Sequence, residues 1–316
     1  MNFLGALPAR FRRERVLIVG CGDVGQRAAR VLGSGQRARL LALTSSSERC
    51  ESLRRLGVTP LVGDLDDRAS LGRLAGVATR VLHLAPPPNQ PGIADDPRTR
   101  ALARALMQRS VPIALVYGST TGVYGDQLGA WVSETTAVNP LSPRAGRRVD
   151  AEASVHGLGR VTGLRTSVLR IPGIYAPDRE GGTPRGRLER GTPVLREQDD
   201  VFTNHIHADD LARACVLALW RGRPQRCLNI CDDTDMKMGD YVDFAADLYH
   251  MPRPQRISRA EAETQLPSML LSFMKESRRL RNDRMKAELR LVLRYPSVRE
   301  GLSSGESSDG LGRGHQ

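Results

Sequence analysis

Gly20, Gly22 and Gly25 stand in G-x-G-x-x-G spacing, a pattern with which a chain holds a pyrophosphate. The first glycine permits a tight turn, the second lets backbone approach the phosphates, and the third lets a helix pack closely on the strand before it. Asp23 and Val24 open that helix, whose N-terminus turns free N–H groups and the positive end of its dipole toward an anion. Other residues offer different chemistry. Arg144 and Arg148 lie four apart on one helix face, where two guanidinium groups can grip a carboxylate or phosphate. The alternative is two more surface arginines in an arginine-rich chain. His205 and His207 alternate on a strand ahead of Asp209 and Asp210, which would suit a metal. Acids placed there also suit the start of a helix, and no metal is expected. Cys227 and Cys231 flank Leu228-Asn229-Ile230 and read as two buried small residues on one strand face rather than half of a zinc site.

The elements that must position these groups follow from periodicity. Val16-Leu17-Ile18-Val19 is an unbroken, largely β-branched apolar run, suited to a strand covered on both faces. Beyond the turn, Val24, Ala28, Val31 and Leu32 recur on one face of an amphipathic helix. Further strands are expected over residues 38–44, 58–62, 81–85 and 113–117, with helices over 48–56 and 99–109. Strands alternating with helices predict βαβ units with right-handed crossovers, hence an α/β fold: a Rossmann-type doubly wound parallel sheet. The ligand then lies beyond the carboxyl ends of the strands, so the loops at Gly20, Thr44, Asp64, Ala85 and Ser119 share one crevice.

The chain's 316 residues, 40% of them hydrophobic, suffice for a full core and argue against disorder. No apolar run approaches the roughly 20 residues that span a bilayer, and residues 1–15 are short and basic without a signal-peptide pattern. An odd set of five scattered cysteines fits reduced thiols, so a soluble, cytoplasmic protein is expected. The net charge of +12 is almost all arginine, Lys237, Lys275 and Lys286 being the only lysines. The arginines are spread along the chain and aromatics are 4%, too few for a base-stacking platform, so nucleic acid is not the expected partner.

The segment Gly118-Ser119-Thr120-Thr121-Gly122-Val123-Tyr124-Gly125-Asp126 resembles the S-S/T-x-x-V-Y-G-D segment of the extended short-chain dehydrogenase/reductases, the group of nucleotide-sugar epimerases and dehydratases. Glu134 ahead of a Pro-rich approach to a helix, Leu169-Arg170-Ile171-Pro172-Gly173-Ile174-Tyr175, His205-Ile206-His207-Ala208-Asp209-Asp210-Leu211-Ala212 and Leu228-Asn229-Ile230 are similar to later family segments, in the family's order. The resemblance runs from about residue 15 to about residue 230. It implies an NAD(P)-binding domain over 15–172 after an arm at 1–14, and a smaller C-terminal substrate lobe over 173–302 with segments returning to the sheet. A Gly- and Ser-rich tail at 303–316 is expected to be disordered. It also implies that Asp64 and Leu65 contact adenine, that Ala85 and Pro86 lie by the nicotinamide ribose, and that Ser119 and Pro172 join the cofactor set.

One departure matters. The family's Tyr-x-x-x-Lys pair passes a proton while the nicotinamide moves a hydride, the lysine lowering the tyrosine pKa from about 10. Aligned on Pro143, this chain has Arg144 in the tyrosine's place and Arg148 in the lysine's, and a guanidinium does not shuttle protons near neutral pH. The chain thus resembles an atypical branch lacking the pair. Thr120 holds the Ser/Thr position, either to hydrogen-bond a substrate carbonyl or to cap the strand end. Tyr124, His156 and Tyr175 are alternative proton donors. The end of the second strand reads Thr44-Ser45-Ser46-Ser47 with Arg49 nearby and no acid for a ribose 2′-hydroxyl, which favours NADP over NAD. The expected function is an NAD(P)-binding oxidoreductase or epimerase/dehydratase-like protein acting on a small anionic metabolite, nucleotide- and sugar-linked ones among the candidates, with a homodimer allowed. The alternative is a non-catalytic NAD(P)-binding or sensing protein.

Overall fold

The computed structural model describes residues 13–35, 38–90, 92 and 94–309. Seven strands build its central sheet: β1 (Glu14–Val19), β2 (Ala38–Thr44), β3 (Val58–Val62), β4 (Arg80–His83), β5 (Ala114–Thr120), β6 (Arg165–Ile171) and β7 (Arg226–Asn229). Their spatial order is β7-β6-β5-β4-β1-β2-β3, every neighbouring pair parallel. The helices that cover it include α1 (Asp23–Gly33), α2 (Arg49–Arg55), α3 (Pro97–Met107), α4 (Pro143–Thr162) and α5 (Ala208–Arg221). Because side chains alternate along a strand, β1 feeds two cores. Val16 and Ile18 meet Ala28 and Leu32 of α1 and Leu211, Cys215 and Leu219 of α5. Leu17 and Val19 meet Leu102 and Leu106 of α3 and Val155 and Leu158 of α4. An unbroken apolar strand is the sequence of a sheet covered on both faces. The chain crosses from one flank to the other between the adjacent β1 and β4, and the crevice opens above their carboxyl ends.

Several boundaries differ from the periodicity. β4 stops at His83 rather than residue 85 because Leu84 and Ala85 turn over the end of β1, both N–H groups donating to the Val19 carbonyl. β5 continues to Thr120, since Gly118, Ser119 and Thr120 pair with Leu169, Arg170 and Ile171. Val31 lies off the buried face of α1 and is exposed, with Ala29 packing in its stead. The strand carrying Cys227 ends at Asn229, so Cys231 does not share its face: Cys227 packs beside the α3–α4 core and Cys231 in a separate cluster with Val123, Tyr124 and Leu280. A helix, Val298–Asp309, occupies the first part of the segment expected to be disordered; Val298 and Leu302 are buried against Tyr175 and Val242, which holds it in place. Residues 310–316 of that segment and 1–12 of the expected arm lie outside the described residues.

Beyond β6 the chain builds smaller units from short strand pairs. Gly173–Tyr175 runs parallel to His205–His207, and Val194–Leu195 to Arg256–Ile257. Tyr175, Leu188, Tyr241, Val242, Val298 and Leu302 form a core of their own there. Among the described residues no helix is long and apolar enough to cross a membrane.

Candidate functional site

The three glycines of the turn have separable structural reasons. Gly20 sits at φ +85°, and a Cβ there would lie 2.3 Å from the Ala85 nitrogen and 2.7 Å from its Cα, so only glycine lets the turn rest on the chain leaving β4. A Cβ on Gly25 would stand 3.0 Å from the Gly20 carbonyl oxygen and 3.3 Å from Ile18 Cγ2, where helix and strand close. At Gly22 nothing lies within 4 Å of that position. Gly22 is also the N-cap of α1, and no side chain caps the helix. The three longer helices on the sheet differ, while the short α2 is also without a side-chain cap. Asp96 accepts from the N–H groups of Arg98 and Thr99 at the start of α3, Ser142 from Ala145 at α4, and His207 from Asp209 at α5. The first amides of α1 are thus left for a ligand, with open space above them. Asp23, whose charge would repel a phosphate there, is engaged by Arg27 at 3.1 Å and by Arg179 at 2.5 Å.

The other loops expected at the crevice do end the neighbouring strands. At the end of β2, Thr44 Oγ1 accepts from Ser46 N–H and donates to the Ser46 carbonyl, Ser45 is exposed, and residues 44–47 carry no acid. Arg49, opening α2, donates from Nη2 to the Cys21 carbonyl, which brings its guanidinium to the glycine turn. After β3, Asp64 accepts from Asp66 N–H while Leu65 is buried. Ala85 and Pro86 follow β4, and Arg98 donates to the Pro86 carbonyl while pairing with Asp66. Pro172 follows β6 directly.

Toward β5 the expectations need correction. Arg148 donates to the Gly118 carbonyl at 2.6 Å and to Tyr117 Oη at 3.0 Å, whereas Arg144 is exposed and lies over the Phe273 ring at 5.9 Å. The two guanidinium groups diverge to different partners, so the structure does not bring them together as the clamp, one of the two readings of their spacing. Thr120 Oγ1 accepts from Gly122 N–H at 3.3 Å, capping the turn Thr121–Tyr124, although its residue remains half-exposed to the crevice side. Ser119 is buried and its hydroxyl donates to Glu152 at 2.5 Å, so it faces α4 rather than a cofactor.

The alternative proton donors are occupied too. Tyr124 donates to Asn229 Oδ1, Tyr175 to the Ser297 carbonyl, and His156 contacts Gln225 and Cys227. Burial raises the pKa of both tyrosines and lowers that of His156. His205 and His207 are buried beside Tyr175, His207 Nδ1 caps α5, and no metal-binding cluster occurs among the described residues. The N-cap of α5 is His207, directly ahead of the acids that suit the helix start.

Sequence reasoning missed the polar network beneath the crevice. Glu152 of α4 accepts from Ser119 and forms a buried ion pair with Arg170 of β6 at 2.8 Å, while Arg170 also lies 4.7 Å over the Tyr124 ring. On the other flank, His83 at the end of β4 contacts Tyr117 ring to ring and bonds Thr99 Oγ1, which donates to Asp96. Burial pushes His83 down to about 3, so the imidazole is neutral, and pushes Tyr117 up to about 12 despite Arg148. Charged residues inside apolar runs, Arg170 after Val168-Leu169 and Glu152 on the buried side of α4, were the available signal, because such groups require partners.

Comparison with known proteins places this geometry. No curated protein matches the sequence. Solved structures share the architecture over nearly the whole chain. A functionally unknown conserved protein from Silicibacter pomeroyi is 29% identical with a TM-score of 0.75, covering 94% of this chain and 99% of its own. A UDP-glucose 4-epimerase from Thermotoga maritima, solved with UDP-glucose, is 18% identical with a TM-score of 0.75 over 93% of this chain and 99% of its own. A UDP-glucuronic acid 4-epimerase from Bacillus cereus, solved with NAD, is 17% identical with a TM-score of 0.73 over 94% and 99%. The sequence model of one family matches residues 16–231, from β1 through the end of β7 and most of the chain's length, so the chain belongs to the NAD dependent epimerase/dehydratase family.

Proposed function

We propose that the chain binds a nicotinamide dinucleotide across the glycine turn, NADP in preference to NAD, and acts on a small-molecule substrate in the crevice beside it as an oxidoreductase or epimerase/dehydratase. The observation that carries this reading is the uncapped start of α1 beneath open space at Gly22, in a sheet whose other long helices have side-chain caps. The backbone of Gly22, Asp23 and Val24 would hold the pyrophosphate. Thr44, Ser45 and Arg49 would take the ribose 2′-phosphate, since hydroxyls and a guanidinium suit a dianion and an acid would repel it. The dinucleotide supplies hydride transfer at the end where Ala85, Pro86 and Pro172 line the strand ends. Sugar-nucleotide substrates are suggested by the neighbour solved with UDP-glucose, and Thr120 would offer its hydroxyl to a substrate oxygen.

Binding or sensing without turnover is favoured by one specific observation. Arg148 holds Gly118 and Tyr117 through Nη1 and does not deprotonate, and Tyr124, Tyr175 and His156 are each bonded elsewhere, so none of these groups is a ready proton shuttle. Titrating NADPH and NADH calorimetrically into the full chain and its Arg49→Met variant tests the cofactor reading. NADPH should bind the parent more tightly, and the variant should lose about 10- to 100-fold of that affinity, the worth of a charge-assisted phosphate contact, with NADH unchanged. Saturable binding of neither dinucleotide below millimolar refutes the reading. Tight NADPH binding without hydride exchange over a panel of carbonyl and nucleotide-sugar substrates would leave the sensing form standing.

A further inference from the structure

The first turn of α1 is met from across the fold. After the strand Gly173–Tyr175 the chain closes a small loop at residues 176–182. The Ala176 N–H donates to the Gly182 carbonyl, the Arg179 N–H to the Ala176 carbonyl, and the Gly182 N–H to the Arg179 carbonyl. The helix Val298–Asp309 backs this loop. A Cβ on Gly301 would stand 2.3 Å from Tyr175 Oη, and one on Gly305 2.5 Å from Pro177 Cβ, so two glycines on one helix face let the helix close on the loop and the strand before it.

From this support Asp178 and Arg179 reach α1. Arg179 Nη1 donates to Asp23 Oδ2 at 2.5 Å, and Arg27 Nη2 donates to Asp178 Oδ1 at 2.7 Å. Two adjacent loop residues thus answer an i, i+4 pair of the helix, charge against opposite charge. Arg27 is buried and also pairs with Asp209 of α5 at 2.5 Å, and its bond to Asp178 holds that carboxyl below the ordinary aspartate pKa. The group sets three carboxylates (Asp23, Asp178, Asp209) against two guanidinium groups (Arg27, Arg179), which leaves one negative charge in excess; without Arg179 the excess would be two. Arg27 lies beneath the surface, whereas Asp23 is exposed beside Gly22, where a Cβ would meet nothing within 4 Å. Asp23 is also the first residue of α1, so its carboxylate and one of the uncapped amides belong to the same residue. An unneutralised carboxylate there repels the anion that the amides attract.

We propose that Arg179 is a positioning residue of the dinucleotide site, supplied by the chain beyond β6: by neutralising Asp23 it lets the start of α1 accept a pyrophosphate. This rests on the reading that the glycine turn holds a nicotinamide dinucleotide. It makes the affinity of that turn depend on the loop at 176–182 and, through Pro177 and Tyr175, on the helix Val298–Asp309. Arg49 and Arg179 then have separate roles. Arg49 distinguishes NADPH from NADH, and Arg179 serves both, because the pyrophosphate is common to them.

The test titrates NADPH and NADH calorimetrically into the full chain and its variants. Arg179→Met, which keeps the aliphatic stem, should weaken both dinucleotides about 10-fold at low salt, the effect of one uncompensated charge near the surface. Arg179→Lys, which keeps the charge, should retain most of the parent's affinity. Adding Asp23→Asn to Arg179→Met should return both affinities to within about twofold of the parent, because the charge to be neutralised is gone. At about 1 M salt, where the Debye length is about 3 Å, the Arg179→Met deficit should shrink. Thermal melts of the same samples should stay near the parent's, since a partly exposed ion pair adds little to stability. An Arg179→Met affinity within about twofold of the parent, or a double variant as weak as Arg179→Met, overturns the proposal and leaves the dinucleotide reading in place. Absence of saturable binding in the parent is failure of that reading, and the proposal falls with it.

Discussion

Gly22→Ala and Gly20→Ala make opposite predictions, and the contrast comes directly from the turn. At Gly22 the backbone has φ −75°, which alanine adopts freely, and a Cβ would meet nothing within 4 Å. Alanine is a poorer N-cap than glycine, so the fold should lose at most about 1 kcal/mol, a fall in Tm of about 2–4 °C for a domain of this size. The new methyl, however, projects over the amides that are left open at the start of α1. Pushing a phosphate off one or two charge-assisted hydrogen bonds, each worth about 1.5–3 kcal/mol, should raise the dinucleotide Kd by at least ~10-fold. At Gly20 the same methyl must tolerate φ +85° and overlap the Ala85 backbone at 2.3 Å. Left-handed backbone costs about 1–2 kcal/mol and displacing packed backbone about 1–3 more, so at the same scale Tm should fall by about 4–20 °C. Calorimetric titration with NADPH and thermal melts of both variants read the two effects. If Gly22→Ala binds NADPH within about twofold of the parent, the pyrophosphate does not lie over Gly22 and the reasoning fails.

Two further perturbations probe what lies beneath the site. Glu152→Ala should destabilise the fold by about 3–5 kcal/mol in urea, because Arg170 then keeps a buried charge without its partner; Glu152→Leu combined with Arg170→Met should recover most of the loss. Equal stability of the single and double variants would show that the pair is not what Glu152 contributes. Asp232 has its folded pKa raised by burial to about 7 from an ordinary 3.8, so its stabilising contribution is complete below about pH 4 and is lost as pH rises through 7. Asp232→Asn should therefore gain stability over the parent between pH 5 and 8, by up to ~4 kcal/mol, and a pH-independent difference would contradict the raised pKa.

The fold was legible because its signals are local and redundant. Val16 to Val19 is apolar on both faces, the glycines mark the turn, and each following strand ends where a loop must face the crevice. What escaped was decided across the fold. β4 ends early because Ala85 rests on Gly20, some sixty residues away in sequence, and β5 extends because β6 offers it three more partners. The helix Val298–Asp309 has a composition that reads as disordered, and only burial of Val298 and Leu302 by the Tyr175 core explains it.

The site divides along the same line. Spacing finds the glycine turn, because backbone chemistry depends on where a chain can bend, but it cannot say where a long side chain goes. Arg144 and Arg148 share a helix face in sequence, yet one meets Phe273 and the other reaches the Gly118 carbonyl and Tyr117. That second contact bears on chemistry. In the lysine's place of the Tyr-x-x-x-Lys pattern, Arg148 is a permanent cation whose Nη1 is bonded to β5, so it can fix the end of that strand but cannot relay a proton. The tyrosine nearest to it, Tyr117, is buried with its pKa pushed up to about 12, which removes it from proton transfer at neutral pH as well.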